Sequence, residues 1–520
     1  MIESLGRFDF KNLFVLDLAN NHQGSVDHGK AIIESCSQVL KSHDVRAVIK
    51  FQFRDLPEFV HPEQRENPTN KHVPRFLSTR LDWEDFGALL AAVKQRNLLS
   101  MCTPFDEASV DRIVEMGFDL IKIASCSARD WPLLQKVSET GLPIIASTGG
   151  LRQSEVDDLV SFLIHRGCDF ALMHCVSIYP TPDEACQLGN IAGFKERYPG
   201  RTIGWSTHEP PNETVHVGLA SALGAEMFER HVGLETPKIK LNAYSSTPQQ
   251  LDAWFAAWKR AQILVGSLVR GEPLQAERIA IDELKRGVFA KTNIEAGATV
   301  SRDQVYFAFP IRPGQLSSGE WKDGLRLTEP FAPDAPLLHS GINAPHDDDI
   351  HVLKNAIHEV KALLAYARVP LSHEFSTEYS HHYGVSNFRK VGAVLINVIN
   401  REYAKKIIVQ LPGQMHPWHF HKLKEETFLV IWGEMVSELD DRQKVLKPGD
   451  TLTVLPGVWH RFWTETGCVF EEISTTAYSN DSVYRDPNIN KLSSGQRKTL
   501  VDHWGRFQLT EQLRTARIPV

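Results

Sequence analysis

The first half of the chain repeats one pattern of apolar and polar positions. A short apolar run ends in polar residues, and a stretch with helical spacing follows. The runs are Leu13–Ala19, Ala47–Gln52, Leu98–Thr103, Leu120–Ser125, Pro143–Ser147, Phe170–Cys175, Thr202–Ser206 and Glu226–Glu229. Apolar runs flanked by helices are what parallel strands buried on both faces require. Eight strand–helix units over residues 1–278 predict an α/β fold, a (β/α)8 or TIM barrel. A doubly wound open sheet is the alternative with the same local pattern. In a barrel, chemistry belongs at the C-terminal strand ends. Polar residues stand there, as in Lys50-Phe51-Gln52, Lys122-Ile123-Ala124-Ser125, Ser147-Thr148-Gly149-Gly150 and Ser206-Thr207-His208. One connection, Arg54–Arg80, is far longer than the others and rich in Pro, Asn, His and charge. A connection of that length reads as a rim or lid over the barrel mouth.

The pattern then changes twice. Residues 283–342 hold a short strand, Arg286-Gly287-Val288-Phe289-Ala290, and turns at Glu295-Ala296-Gly297-Ala298 and Arg312-Pro313-Gly314-Gln315. This predicts a small β-rich module. The polar stretch Asn343–Asp349, with Pro345, marks a boundary. Residues 350–520 begin with helical spacing and continue with β-like runs such as Ala393–Ile399, Lys406–Leu411 and Phe428–Trp432. Regular turns between such runs predict an antiparallel barrel or sandwich.

Composition narrows the function classes. A chain of 520 residues is long enough for three such domains, each with its own core. The net charge of -7 and the lack of a basic run argue against nucleic acid as a partner. No apolar run reaches the roughly 18 residues of a membrane span. The N-terminus shows no basic-then-apolar secretory pattern. The seven cysteines are scattered, with no Cys-x-x-Cys pair, and read as reduced thiols. A cytoplasmic protein is expected.

Lys50 and Lys122 end separate strand runs, and a lysine inside a barrel needs an anionic partner. With the hydroxyls of Thr103, Ser125 and Ser147 nearby, they suggest a phosphate or carboxylate pocket. The bland alternative is two lysines reaching to the rim. His208 and His231 follow the seventh and eighth runs, and neighbouring strand ends can bring two imidazoles onto one divalent ion. With Glu229, the set points to metal-assisted chemistry on a phosphorylated substrate.

These residues sit in a longer ordered series. It runs through Asp17-Leu-Ala-Asn-Asn-His22-Gln-Gly24, Lys50-Phe-Gln52, Thr103-Pro-Phe-Asp106, Lys122-Ile-Ala-Ser125 and Ser147-Thr-Gly-Gly150. It continues with His174-Cys-Val-Ser-Ile-Tyr179-Pro-Thr-Pro182, Gly204-Trp-Ser-Thr-His208 and Glu229-Arg-His231. The series resembles the sialic acid synthase (N-acetylneuraminate synthase) family over about 260 residues. The second module resembles that family's antifreeze-like (SAF) domain, through Arg286-Gly-Val-Phe-Ala290 and Ile311-Arg-Pro-Gly-Gln315.

The resemblance implies condensation of phosphoenolpyruvate with an open-chain aldose, N-acetylmannosamine or a related sugar. The product is a 2-keto-3-deoxy sugar acid, and phosphate is released. It implies Mn2+ or Mg2+ on His208 and His231, acting as a Lewis acid. Lys50, Lys122, Thr103, Ser125 and Ser147 would bind phosphoenolpyruvate, and Asp17 or Glu229 would handle protons. Gln52 and Tyr179 would face the sugar, with Ser177 and Ser206 among the substrate contacts. Arg312 would reach the partner's site in a domain-swapped homodimer. Two departures stand out. Asp17 replaces the family's Glu, and Leu241-Asn242-Ala243 stands where many members carry Asp-His-Lys. An aldolase-type lyase, with Lys122 as a Schiff-base lysine, is the rival on the same barrel.

The C-terminal region carries a second constellation. Gly413-Gln-Met-His-Pro-Trp-His419-Phe-His421-Lys-Leu-Lys-Glu-Glu426, then Gly433, has the spacing Gly-x5-His-x-His-x4-Glu-x6-Gly. Gly449 through Pro456-Gly457 to His460 follows. Alternate residues of a strand share a face, so His419 and His421 converge, and Glu426 and His460 complete the set. The ligands suit Mn2+, Fe2+, Co2+, Ni2+ or Zn2+. The motifs resemble the cupin superfamily. Lys405–Trp463 and Phe470-Glu-Glu472-Ile-Ser-Thr-Thr resemble D-lyxose isomerase-like sugar isomerases. That implies aldose–ketose interconversion with Glu472 as a base. A cupin that only binds sugar is the alternative, and a non-enzymatic sugar sensor is the wider one.

Overall fold

The computed structural model describes residues 7–504, apart from 67–68, 207, 268–269, 344–348, 441 and 479. Most of the expected boundary at Asn343–Asp349, including Pro345, lies outside the described residues. The chain forms two compact units, Met1–Glu272 and Pro273–Val520. The boundary expected at 278 falls inside the helix Gln275–Asp282, which belongs to the second unit.

The first unit is a closed parallel barrel. Its strands are β1 (Leu13–Asp17), β2 (Arg46–Phe53), β3 (Leu99–Pro104), β4 (Leu120–Ile123), β5 (Ile144–Ser147), β6 (Phe170–Cys175), β7 (Ile203–Ser206) and β8 (Met227–His231). The open-sheet alternative is excluded because β8 pairs with β1, Met227 opposite Leu13. Successive strand residues point to opposite faces, and the two faces have different neighbours. Phe14, Leu16, Ile49, Phe51 and Phe228 pack outward with the helices. Leu13, Val15, Val48, Met101, Leu120, Ile145 and Met227 fill the lower interior. Two of the covering helices show how their starts are fixed. Ser25 caps Val26–His43, and Thr247 with Gln250 forms a capping box on Pro248–Val265, whose proline stands in the first turn.

The long connection after β2 is not a bare loop. It carries three short helices, Leu56–Phe59, Pro62–Glu66 and Val73–Ser78. Leu56, Val60 and Val73, with Phe76 beside them, make a small core of its own. Prolines near the helix starts fix φ where no hydrogen bond is lost, which is how so polar a stretch still forms helices.

In the second unit, Gly287–Ala290 pairs antiparallel with Val305–Ala308 over a core of Val288, Ala290, Ile294, Leu316 and Leu337. The helix Asp349–Tyr366 follows. Two antiparallel sheets come next. The larger runs in the order Thr451–Val454, Glu426–Gly433, Cys468–Thr475, Tyr403–Gln410, Ala393–Asn400, Ser376–Ser380, Lys498–Asp502. The smaller runs Arg442–Leu446, Met435–Leu439, His460–Trp463, Met415–His421, Ser482–Tyr484. Their inner faces share a core, with Ile408, Phe428 and Phe470 from one sheet and Met435 and Phe462 from the other. No described helix is long and apolar enough to cross a membrane. All seven cysteines are free.

Candidate functional site

The inward row of each barrel strand continues upward from apolar to polar. Val15 is followed by Asp17, Val48 by Lys50 and Gln52, Leu120 by Lys122, and Met227 by Glu229 and His231. Parallel register sets Asp17 beside Lys50 on one side and His231 on the other, and Ser206 beside Glu229. The sequence-predicted residues of β1, β2, β4, β7 and β8 therefore meet in one polar layer at the C-terminal end.

Glu229 is the centre of that layer. Its carboxylate accepts from Lys50 Nζ at 2.7 Å, from Lys122 Nζ, and from Ser206 Oγ at 3.3 Å. Lys50 Nζ also lies 3.0 Å from Asp17 Oδ2, which Gln52 Nε2 approaches at 3.2 Å. All four charged groups are buried. The lysines do not snorkel to the rim; they are held inside by in-chain carboxylates. Burial would depress the Lys50 ammonium, but Asp17 and Glu229 outweigh it and raise it above the usual lysine range. For Lys122 burial wins over Glu229, and its pKa is lowered. Glu229 would be raised by burial, yet Lys122 and Lys50 hold it well below the usual carboxylate range.

The histidines stand beside this cluster. The rings of His208 and His231 are 5.4 Å apart, and Tyr179 lies 4.1 Å from His208. His208 Nδ1 is 2.7 Å from the Val176 carbonyl, which fixes the proton on Nδ1 and leaves the Nε2 lone pair for a ligand. Burial lowers His208 to about 3 and also lowers His231, so both are neutral. Neutral imidazoles fit a divalent ion. Among the described residues, no third donor joins them within 4.8 Å, so water and substrate would complete the shell. A different barrel group does gather three donors, Asp183, Cys186 and His216, and shares none of the predicted residues.

Thr103 and Ser147 are buried in the same layer. Ser125 Oγ accepts the Gly149 N–H at 3.0 Å. A Cβ on Gly149 would meet Ser177 Oγ at 2.6 Å and Ser125 Oγ at 2.7 Å, so a side chain here would push both hydroxyls from their places. Tyr179 is half-exposed and touches Tyr244. Arg312 lies in the other unit, exposed, its backbone N–H bonded to Gln315 Oε1. A cavity of about 580 Å³ opens beside the layer, lined by Asn20, His22, Gln52, Arg54, Arg80 and Trp83. Arg54, missed in the sequence, stacks on Phe105 at 3.7 Å and on Phe76 at 4.2 Å. Its signal was the period of two that carries Lys50 and Gln52 inward. His22, lowered to about 4 by burial and Arg75, and Tyr244 were also missed.

In the second unit, donor atoms of His419, His421, Glu426 and His460 lie within 4.8 Å of one another, all buried. The imidazoles are oriented from behind. His419 Nδ1 faces the Pro417 carbonyl at 3.0 Å, His460 Nδ1 the Val458 carbonyl at 3.1 Å, and His421 Nδ1 the Ser482 hydroxyl at 3.3 Å. Each arrangement leaves Nε2 toward the centre, the second shell a bound metal needs. His460 Nε2 and Glu426 Oε1 sit 2.8 Å apart, yet neither makes a well-shaped hydrogen bond. Such orphaned buried atoms fit a cation between them. Burial lowers His419, and lowers His421 to about 4.

Behind the ligands, Lys424 bridges Glu426 and Glu472, and Lys406 reaches Glu472 at 3.0 Å. Burial would raise Glu472, but Lys406 and Lys424 keep it ionised. A cavity of about 360 Å³ opens onto the set. His382, His416 and Tyr484 also line it, with His382 Nε2 2.8 Å from the Tyr484 hydroxyl. His416 escaped the strand pattern because the register shifts between His416 and His419.

A lysine–carboxylate–histidine layer on a TIM barrel, followed by a three-histidine, one-glutamate cupin, defines a two-site class of protein. The NeuB family profile matches residues 41–270, and the cupin domain profile matches residues 407–471. The chain is 31% identical to the N-acetylneuraminate-9-phosphate synthase of Drosophila melanogaster over 63% of its length and 95% of that protein. It is 24% identical to the N,N'-diacetyllegionaminic acid synthase of Campylobacter jejuni, over 56% and 88%. The crystal structure of a spore coat polysaccharide biosynthesis protein E from Chromobacterium violaceum superposes with a TM-score of 0.62 at 40% identity, covering 64% of this chain and 100% of that one. The chain belongs to the NeuB family and carries a C-terminal cupin domain.

Proposed function

We propose that the barrel condenses phosphoenolpyruvate with an open-chain aldose to a 2-keto-3-deoxy sugar acid, releasing phosphate. N-acetylmannosamine and related sugars are the candidate acceptors, in keeping with the products named for its relatives. The observation that carries this reading is the Lys50–Glu229–Lys122 cluster beside two neutral histidines. The lysines would hold the phosphate and carboxylate of phosphoenolpyruvate, assisted by the hydroxyls of Thr103, Ser125, Ser147, Ser177 and Ser206. Mn2+ or Mg2+ on His208 and His231 would supply Lewis-acid polarisation of the aldehyde oxygen. The enol carbon attacks the aldehyde carbon, water adds at C2, and phosphate leaves with C–O cleavage. Asp17 or Glu229, both held by Lys50, would accept the proton of the attacking water. Gln52 and Tyr179 would position the sugar.

The test is phosphate release from phosphoenolpyruvate across a panel of aldoses, with detection of the keto acid. Release that depends on one aldose supports the synthase. An adduct trapped by borohydride with pyruvate, without such release, would favour the lyase with Lys122 as its imine lysine.

We further propose that the cupin interconverts an aldose and a ketose, with Glu472 moving the proton between C1 and C2. A transition metal on His419, His421, Glu426 and His460 would hold the adjacent oxygens. The closed four-donor set and the ionised Glu472 support this reading over a cupin that binds sugar without turning it over. The two activities together would let a ketose feed the barrel. In this reading the chain has three domains, 1–278, 283–342 and 350–520. It works in the cytoplasm as a domain-swapped homodimer in which Arg312 serves the partner's barrel.

A further inference from the structure

The charged groups that line the cupin cavity can be paired off. Lys406 and Lys424 are taken by Glu472 and Glu426. Lys498 is 3.0 Å from Glu378. Asp481 accepts backbone N–H groups of Leu423 and Lys424. One cation is left over. Arg497 lines the same cavity, its Nε is buried without a hydrogen-bond partner, and among the described residues no carboxylate pairs with it. Its closest aromatic contact is Tyr484, whose ring centroid is 5.4 Å from the guanidinium carbon. The same Tyr484 ring stacks on His419 at 5.7 Å. The guanidinium thus stands one aromatic ring away from the metal-ligand set, within a single cavity of about 360 Å³.

A partly buried guanidinium without an anion is costly, and its fork of donors matches a planar or tetrahedral oxyanion. The cavity is also lined by Ser376 and Asn397, neutral hydrogen-bonding groups suited to hydroxyls. We propose that the cupin takes an anionic sugar, one bearing a phosphate or a carboxylate, and that Arg497 is the anchor for that group. The inference rests on the sugar-binding reading of the cupin and names its substrate class. The carbonyl end of the sugar faces the metal-ligand set, and the anionic end lies against Arg497.

Equilibrium binding to the metal-loaded full chain tests this without requiring turnover. The probes are mannose, fructose, their 6-phosphates, and mannonate. The cupin event is the one that His419→Ala removes. The expected result is that at least one anionic probe gives such an event, and that Arg497→Gln weakens it about ten- to hundred-fold, as loss of a charged hydrogen bond does. Arg497→Lys should keep part of the affinity, which guards against a mere folding defect. The phosphates against mannonate separate the two anion sources. If neutral sugars bind as tightly as their phosphates, or Arg497→Gln leaves every anionic probe unchanged, the anchor is wrong. The absence of any event removed by His419→Ala overturns it too. Arg497-dependent binding without interconversion would sink the isomerase alone. Interconversion of neutral sugars untouched by Arg497→Gln would sink the anchor alone.

Discussion

In the barrel, two buried lysines share the Glu229 carboxylate, and Asp17 balances the second charge, so the chain neutralises its own site. In the cupin, three imidazoles and Glu426 face one another, and His460 Nε2 and Glu426 Oε1 remain unsatisfied. The first site is assembled by ion pairs, which a bound anion would rearrange. The second is a set of ligands whose hydrogen bonding is complete only with a cation. The two should therefore respond differently to the same kind of change, and the predictions exploit that difference.

The largest effect is expected on turnover. His231→Ala should lower aldose-dependent condensation by about 10³-fold, the scale of losing Lewis-acid and oriented electrostatic help. Lys50→Ala should in addition raise the KM for phosphoenolpyruvate more than that for the sugar. His419→Ala should leave aldose-dependent condensation intact and abolish product formation from phosphoenolpyruvate and a ketose. Phosphate release under the two feeding regimes measures both. If His419→Ala depresses the aldose route as much as His231→Ala does, the two sites do not divide the work in this way.

Stability separates the sites next. Glu229→Gln strands Lys122 and removes one of the two anions of Lys50, and breaking a buried pair costs about 3–5 kcal/mol. Glu426→Gln in the metal-free chain should cost less, because Lys424 keeps Glu472 at 2.9 Å. Denaturant or thermal melts of the metal-free variants decide it, and equal losses would contradict the contrast.

The same contrast explains what was legible in the sequence. The cupin ligands lie on neighbouring strands at fixed spacing, so His419, His421, Glu426 and His460 form a linear motif that the fold brings together unaltered. The barrel residues come from separate strands across more than two hundred positions. The ends of the apolar runs located Lys50, Lys122 and Glu229, but only closure of the barrel puts Glu229 between Lys50 and Lys122. The lysines were read as an open anion pocket because no linear pattern reveals their in-chain partner. Arg497 was invisible for the same reason. It gains its meaning from strand Lys498–Asp502 pairing beside Ser376–Ser380, a contact between segments 118 or more residues apart.

Acid should affect the cupin in a way that metal can reverse. Burial holds His421 at about 4, below the roughly 6.5 of an unfolded histidine. Between those values the unfolded chain binds a proton that the folded chain does not. Stability is therefore full above about pH 6.5 and declines as the pH falls toward 4. His416, lowered to about 3 by burial and then by His460, adds to the same slope. Protons also compete with metal for the imidazoles. Melts at pH 7.5 and 5.5, with and without metal, should show a cupin transition that drops in acid and is restored by excess metal. The barrel histidines carry the same sign, His208 at about 3. With two donors in place of four, the barrel transition should recover less. Equal recovery would mean that the barrel holds its ion as completely as the cupin.

The smallest expected signal comes from assembly. Arg312 is exposed in the β-rich module, far in sequence from every strand-end residue, and the swapped-dimer reading has it complete the barrel of the partner. Arg312→Ala and His231→Ala should each be inactive in condensation, for unrelated reasons. In a mixed dimer, the barrel of the Arg312→Ala chain would receive an intact arginine from the other chain, while the second barrel would lack both. Random exchange of equal amounts makes about half the dimers mixed, each with one competent site, so about a quarter of wild-type activity should return. Exchange has to be demonstrated separately, for example by isolating dimers that carry two different tags. Tagged mixed dimers that remain inactive would show that Arg312 does not serve a neighbouring barrel. The barrel would then be complete within one chain, as the cupin ligand set is.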